Sequence, residues 1–168
     1  MKKIISVFIF LLLLVGCSLS NTPTAQVEDL LSKYQMLDDD IAKGIDDILE
    51  GETLTNDQKD RYRKIIEKQY KNLAYEVKDE EIDGDIAEIT VEIEVLDYKK
   101  IVNEVNSNYQ GQTNYTVEDY NNAKLDALED AKDKVTYTIE FEVIKDENGN
   151  WKLGTLDSEA IKKIQGMY

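Results

Sequence analysis

Two runs of strict alternation constrain this chain more than any other feature. Ile89, Val91, Ile93 and Val95 are interleaved with Thr90, Glu92 and Glu94, and Val135, Tyr137, Ile139, Phe141 and Val143 with Thr136, Thr138, Glu140 and Glu142. Successive side chains of a strand point to opposite faces, so a period of two puts the apolar residues on one side and the polar residues on the other. Such a sheet is wet on one face and needs a covering layer on the other, which is the habit of antiparallel sheets. A partner strand is expected upstream at Tyr75, Val77 and Asp79, entering a tight turn at Asp83-Gly84. Asn148-Gly149 turns the chain into a short last strand at Trp151 and Leu153. The sheet therefore has at least four antiparallel strands.

The covering layer is written as helices. Thr22-Pro23 is a helix start, since proline is tolerated at the first helical position. Val27, Leu30, Leu31, Tyr34, Leu37, Ile41, Ile45 and Ile48 then recur at three- and four-residue steps, the mark of one apolar helical face, and Gly44 is expected to divide this run. Thr55-Asn56-Asp57-Gln58 forms a capping box that opens another helix, with Tyr62, Ile65, Ile66, Gln69, Tyr70 and Leu73 on its inner side. About 38 residues separate the second and third strands, far more than a hairpin needs, and they read as a helical insertion. Ile101, Val102 and Val105 mark its first piece. Thr116-Val117-Glu118-Asp119 caps the second, which carries Tyr120, Leu125, Leu128 and Ala131. Asn106 to Tyr115 is expected to be a mobile loop, and Ser158 to Gln165 a last short helix ending at Gly166. The fold class is α+β, with amino-terminal helices packed on a curved antiparallel sheet.

The amino terminus has a different logic. Met1-Lys2-Lys3 is basic, Ile4 to Val15 is almost unbroken apolar sequence, and Gly16-Cys17 closes the segment, which is the architecture of a secretory signal peptide. The run is shorter than the roughly 20 residues that a helix needs to cross a bilayer. Leu14-Val15-Gly16-Cys17 resembles a bacterial lipobox. That resemblance implies cleavage before Cys17, diacylglyceryl transfer to its sulfur, and acyl chains such as palmitate holding the protein on the outer face of a cell membrane. Cys17 is the only cysteine, so an intramolecular disulfide is excluded. Several acyl chains on one residue anchor firmly, where one binds only marginally. The expected organisation is a signal peptide over residues 1–16, a lipidated cysteine and spacer over 17–23, and a single domain over 24–168.

The whole chain carries a formal net charge of −15, and loss of Lys2 and Lys3 with the signal would take the mature protein to about −17. Such a surface repels nucleic acid and anionic headgroups and keeps an exported protein soluble. No nucleic-acid partner is expected. The membrane is the expected partner through Cys17, together with a small molecule, a glycan or an envelope protein.

The order of elements resembles the small extracytoplasmic lipoproteins of the nuclear-transport-factor-two-like, or cone-roll, superfamily. The residues that carry the comparison are the opening helix Val27 to Asp38, the strand end Ile93-Glu94-Val95-Leu96-Asp97-Tyr98, and Asn150-Trp151-Lys152-Leu153 before a short helix. The helical insertion after Asp97 departs from the simplest members. The resemblance implies a cone with an apolar pocket between helices and sheet, used by some relatives for catalysis and by others for binding alone; a fold does not decide between these.

The inventory of reactive groups narrows the choice. There is no histidine, and acylation would consume the one thiol, which removes the usual general base, the thiol nucleophile and the common transition-metal ligands. Enzymes among the relatives often use an Asp-His pair, which this chain cannot build. Asp38, Asp39 and Asp40 would stand near a cone mouth, but a run of three acids is ordinarily a solvated helix end. Asp146, Asn148, Asn150 and Asp157 fall at positions one, three, five and twelve of a calcium loop, yet position six, where the turn needs glycine, is Trp151. A hairpin turn and a strand explain the same residues better. No catalytic residue, metal or cofactor is therefore expected. The cavity candidates are aromatic: Tyr34, Tyr70, Tyr75, Tyr137 and Trp151, with Tyr98 beside them, offer area plus a polar handle, unless they simply form the core. The leading reading is a non-catalytic binding or interaction module. The alternative is a histidine-free hydrolase or isomerase using buried carboxylates, and a purely structural role stands third.

Overall fold

The computed structural model describes residues 21–168. The expected signal peptide, the lipid attachment at Cys17 and the start of the spacer lie outside the described residues.

The two alternating runs become neighbouring central strands. Strand β1 spans Ala74–Asp83, β2 Ile86–Leu96, β3 Lys134–Lys145 and β4 Trp151–Leu153, all antiparallel in the order β1-β2-β3-β4. Register matches like with like: Ile89 faces Phe141, Val91 faces Ile139, Ile93 faces Tyr137 and Val95 faces Val135. A one-residue slip would turn every one of these apolar side chains into water. The β1–β2 turn falls at Gly84-Asp85, one residue later than the sequence suggested, with Asp83 facing Ile86 and Gly84 at φ +64°. A bulge interrupts β1 between Val77 and Asp79.

Among the described residues six helices complete the α+β fold: α1 Pro23–Met36, α2 Asp39–Gly51, α3 Asn56–Lys71, α4 Tyr98–Tyr109, α5 Val117–Glu129 and α6 Ser158–Ile164. Helix α1 lies across all four strands, and α3 and α6 pack on the same face. Val27 and Leu31 of α1, Ile66 and Tyr70 of α3 and Ile164 of α6 meet Ile89, Val91, Ile93, Phe141 and Val143 in the main core. A second, smaller core joins the insertion to the body: Ile65 of α3 packs with Leu96, Tyr98, Leu125, Leu128 and Ala131. Helix α3 thus serves two cores from two faces, and α4 reaches the body largely through α5.

Two expectations are corrected. The opening apolar run breaks at Leu37-Asp38 and not at Gly44, which lies inside α2. Leu37 takes the left-handed conformation at φ 53°, ψ 53°, and Asp38 then caps α2 by accepting from the backbone N–H groups of Asp40 and Ile41. An aspartate cap satisfies the orphan donors that a mid-helix glycine cannot. The segment Asn106 to Tyr115 is also not loop throughout, because α4 continues to Tyr109. The capping boxes at Thr55–Gln58 and Thr116–Asp119 both form.

Candidate functional site: the grooves beside helix α4

Helix α4 leaves the end of β2 and is fixed firmly at its base. Asp97 Oδ1 accepts from the Lys100 backbone N–H at 3.0 Å, the Lys99 N–H donates to the Gly166 carbonyl at 2.7 Å, and the buried Tyr98 hydroxyl donates to the Ile65 carbonyl at 2.9 Å. Lys100 Nζ meets Asp133 Oδ2 at 2.7 Å, tying the first turn of α4 to the residue before β3. Beyond this base Asn103, Asn106 and Ser107 are exposed.

A groove of about 620 Å³ runs between α4 and the start of β3, with Lys99, Asn103 and Ser107 on one side and Val135, Tyr137 and Tyr168 on the other. The Tyr137 and Tyr168 rings meet edge to face at 5.7 Å, and the Tyr137 hydroxyl donates to the Tyr168 carbonyl at 3.1 Å. Asn103 and Ser107 also line a second groove of about 480 Å³, completed by Asn106, Gln110, Tyr109, Tyr115 and Tyr120. Tyr109 is the hub of this aromatic group, edge to face with Tyr115 at 4.6 Å and with Tyr120 at 5.4 Å. The Tyr120 hydroxyl hydrogen-bonds Asn106 Oδ1, bridging α5 to α4.

The aromatic residues singled out from sequence do not share one cavity wall. Tyr34 and Tyr70 meet edge to face at 4.9 Å, and Tyr75 packs against the main core from β1. Burial disfavours the phenolate, pushing Tyr34 up to about 12 with the neighbouring Tyr70 adding to the shift; burial also raises Tyr70 and Tyr75. Trp151 is part of the core, its ring 4.6 Å below Lys145 Nζ. Tyr137 alone of the five lines the groove between α4 and β3.

Of the acids weighed as chemistry, Asp39 and Asp40 are exposed in the first turn of α2, and the others are engaged in local structure. Asp38 caps α2, Asp157 caps α6 by accepting from the Ala160 N–H at 2.7 Å, and Asp146 Oδ1 accepts from the N–H groups of Asn148 and Asn150, each at 2.9 Å. Those backbone donors, Asn150 foremost, hold Asp146 below the usual carboxylate range. The buried polar side chains among the described residues are the amides Gln58, Gln69 and Asn121. Sequence reading missed the second groove because it sought tyrosines at inward positions of helices and strands. The signal was present in the density of amides and tyrosines from Asn103 to Tyr120.

No family model matches the chain, and no curated protein matches it. Among solved structures, a candidate lipoprotein (ycdA) of Bacillus subtilis is similar at 17% identity and a TM-score of 0.43. The match covers 83% of this chain and 46% of that one, so this chain spans less than half the length of that protein.

Proposed function

We propose that the chain is an extracytoplasmic lipoprotein, anchored through Cys17, whose domain is a non-catalytic binding module presenting the α4 grooves away from the membrane. The cone-roll resemblance belongs to this reading, supported by helices gathered on one face of an antiparallel sheet. The observation that carries it is the separation of the two ends of β3. Asn21 is bonded to Trp151, which pairs with Lys145 at the end of β3, whereas the insertion springs from the Leu96–Lys134 pair at its start. Twelve residues of strand place these ends about 35 Å apart. The four steps from Cys17 to Asn21 reach at most about 14 Å. An acyl anchor at Cys17 therefore holds the Trp151 end near the lipid and leaves the base of α4 free to stand up to about 35 Å further out.

The carboxylate-enzyme alternative needs an acid inside the core, and the amides found there are all the buried polar side chains of the described residues. Two measurements test the proposal. A palmitate analogue should label the full chain in cells and fail to label Cys17→Ser. The full chain should also bind washed envelope fractions saturably, and Asn103→Arg with Ser107→Arg, two exposed positions shared by both grooves, should abolish this. Absence of label removes the anchor; saturable binding indifferent to the arginines removes the grooves.

A further inference from the structure

We propose that the tyrosine and amide groove at the outer end of α4 binds a neutral saccharide chain. This deepens the binding-module reading and rests on it.

The first argument is the chemistry of the walls. One residue in three of the chain is charged, 33% in all, yet this groove is lined by three tyrosines, three carboxamides and one serine. The neighbouring groove between α4 and β3 includes Asp97, Lys99, Lys100 and Glu104, and the one between α4 and α5 includes Lys100, Glu104, Asp130 and Asp133. Loss of charge is thus local to this site. Among the residues that line it there is no counter-ion for a charged ligand; Lys124 Nζ stands over the Tyr120 ring, 5.9 Å from its centroid and outside the lining, and an anion would meet the field of a strongly acidic protein. A wholly apolar ligand would cover the carboxamides without bonding them, which costs free energy for each group left unpaired.

A sugar ring matches what remains. Its axial C–H face lies against an aromatic ring, and its rim carries hydroxyls that both donate and accept. A carboxamide likewise supplies two donors and an acceptor in one fixed plane. Recognition of a peptide by strand addition needs free main-chain groups along a strand edge, and this groove lies between two helices.

The second argument is rigidity. The Tyr109 ring is held edge to face by both other tyrosines, and its hydroxyl reaches the Asp119 carbonyl at 3.5 Å. The Tyr120 hydroxyl occupies Asn106 Oδ1, which leaves the amino group of Asn106 as a donor. Tyr115, also in the lining, is 39% exposed, so much of its surface is open to a partner. A site whose rings are already locked loses little side-chain entropy on binding. The volume, about 480 Å³, falls within the range typical of small-ligand sites.

The probe is chitotetraose, a neutral N-acetylglucosamine oligomer, titrated calorimetrically into the full chain in a polyoxyethylene detergent, since glycosidic detergents would compete. Saturable binding is expected, weakened about tenfold or more by Tyr115→Ala or Gln110→Ala. Both residues are exposed and outside the two cores, so both variants should fold; Gln110→Ala should keep the wild-type melting temperature, and Tyr115→Ala should lose only what its edge-to-face contact with Tyr109 contributes. Affinity should stay constant as salt rises from about 0.01 M to about 1 M, because uncharged walls give screening nothing to act on. The same variants are then tested on washed envelopes. Envelope binding that survives Tyr115→Ala, with no uptake of chitotetraose, overturns the saccharide assignment and leaves the binding module standing. Loss of both kinds of binding in the wild type overturns both.

Discussion

The side chain of Asn21 brackets the backbone of Trp151, 130 residues away: Oδ1 accepts from the Trp151 N–H at 2.6 Å, and Nδ2 donates to the Trp151 carbonyl at 3.2 Å. One carboxamide thereby completes the edge of β4, where no further strand among the described residues continues the sheet. Asn21→Ala leaves both main-chain groups without that partner and is expected to cost about 1–2 kcal/mol. For a chain of this size each kcal/mol lowers the melting temperature by about 2–4 °C. Asn21→Asp keeps the acceptor and should lose about half as much. A thermal melt of Asn21→Ala that overlays the wild type would show that the bracket contributes nothing.

Gln69 makes a similar contact in the interior. Its Nε2 donates to the Leu96 carbonyl and its Oε1 accepts from the Leu96 N–H, both at 2.9 Å, where β2 ends and cross-strand partners run out. Gln69→Leu strands both groups in a site that is 1% exposed, at an expected cost of about 3 kcal/mol. Gln69→Glu keeps the acceptor but buries a charge, so it should be worse than the wild type at neutral pH and recover in part on acidification. Gly166 approaches the same place: at φ +67°, a Cβ there would collide with the Leu96 carbonyl and Gln69 Nε2. Gly166→Ala is expected to destabilise at least as much. Urea midpoints for the three variants decide this, and a Gln69→Glu midpoint that tracks the wild type at every pH would refute the buried contact.

What could be read in advance follows from the range of the interactions. The alternating strands and the capping boxes at Thr55 and Thr116 depend on residues within a few positions of each other, and all appear where the sequence put them. The break at Leu37 is local too, but leucine in a left-handed conformation has no sequence signature, and Gly44 was the more conspicuous residue. The strand order and the Asn21–Trp151 bracket depend on contacts across the chain, which no periodicity encodes. The candidate site falls between these cases. Its tyrosines and amides were visible as composition, but their convergence depends on α4 and α5 folding back so that Tyr109 meets Tyr115 and Tyr120.

Stability should be flat around neutrality and fall at both extremes. The chain has no histidine, so no side chain ordinarily titrates between about pH 6 and 8. On the acid side Asp119, Asp133, Asp146 and Glu159 are all held below their usual range, by Thr116, Lys100, Asn150 and Lys163 respectively. A depressed folded value means stability present above the unfolded value of about 4 and lost as pH falls through the lower one. These groups lie at the surface, so the acid limb should be shallow. Tyr34 has the opposite sign. Its folded value of about 12 lies above the unfolded value of about 10, so its contribution is complete below pH 10 and lost as pH rises towards 12. Tyr34→Phe should flatten part of the alkaline limb. Urea midpoints from about pH 3 to 11 provide the check, and a slope near neutrality would contradict it.

The open face of the sheet carries a different kind of strain. Glu81 sits directly opposite Glu88, and Glu88 directly opposite Glu142, which sets three carboxylates in one row across β1, β2 and β3. Elsewhere on this face lysines intervene: Lys78 pairs with Glu76 and Glu92, and Lys134 with Glu94. The row is tolerated because register is set from the other face, where Ala87 and Ile89 on either side of Glu88 are almost fully buried. Like charges directly across strands oppose pairing, so Glu88→Thr, a good strand former, is expected to stabilise by about 0.2–1 kcal/mol in low salt. Salt should stabilise the wild type more than the variant, because screening relieves a repulsion that the variant lacks. Urea midpoints of both proteins in low and high salt measure the difference. Equal midpoints at low salt would mean that these carboxylates splay apart into water and that the row exerts no force on the sheet.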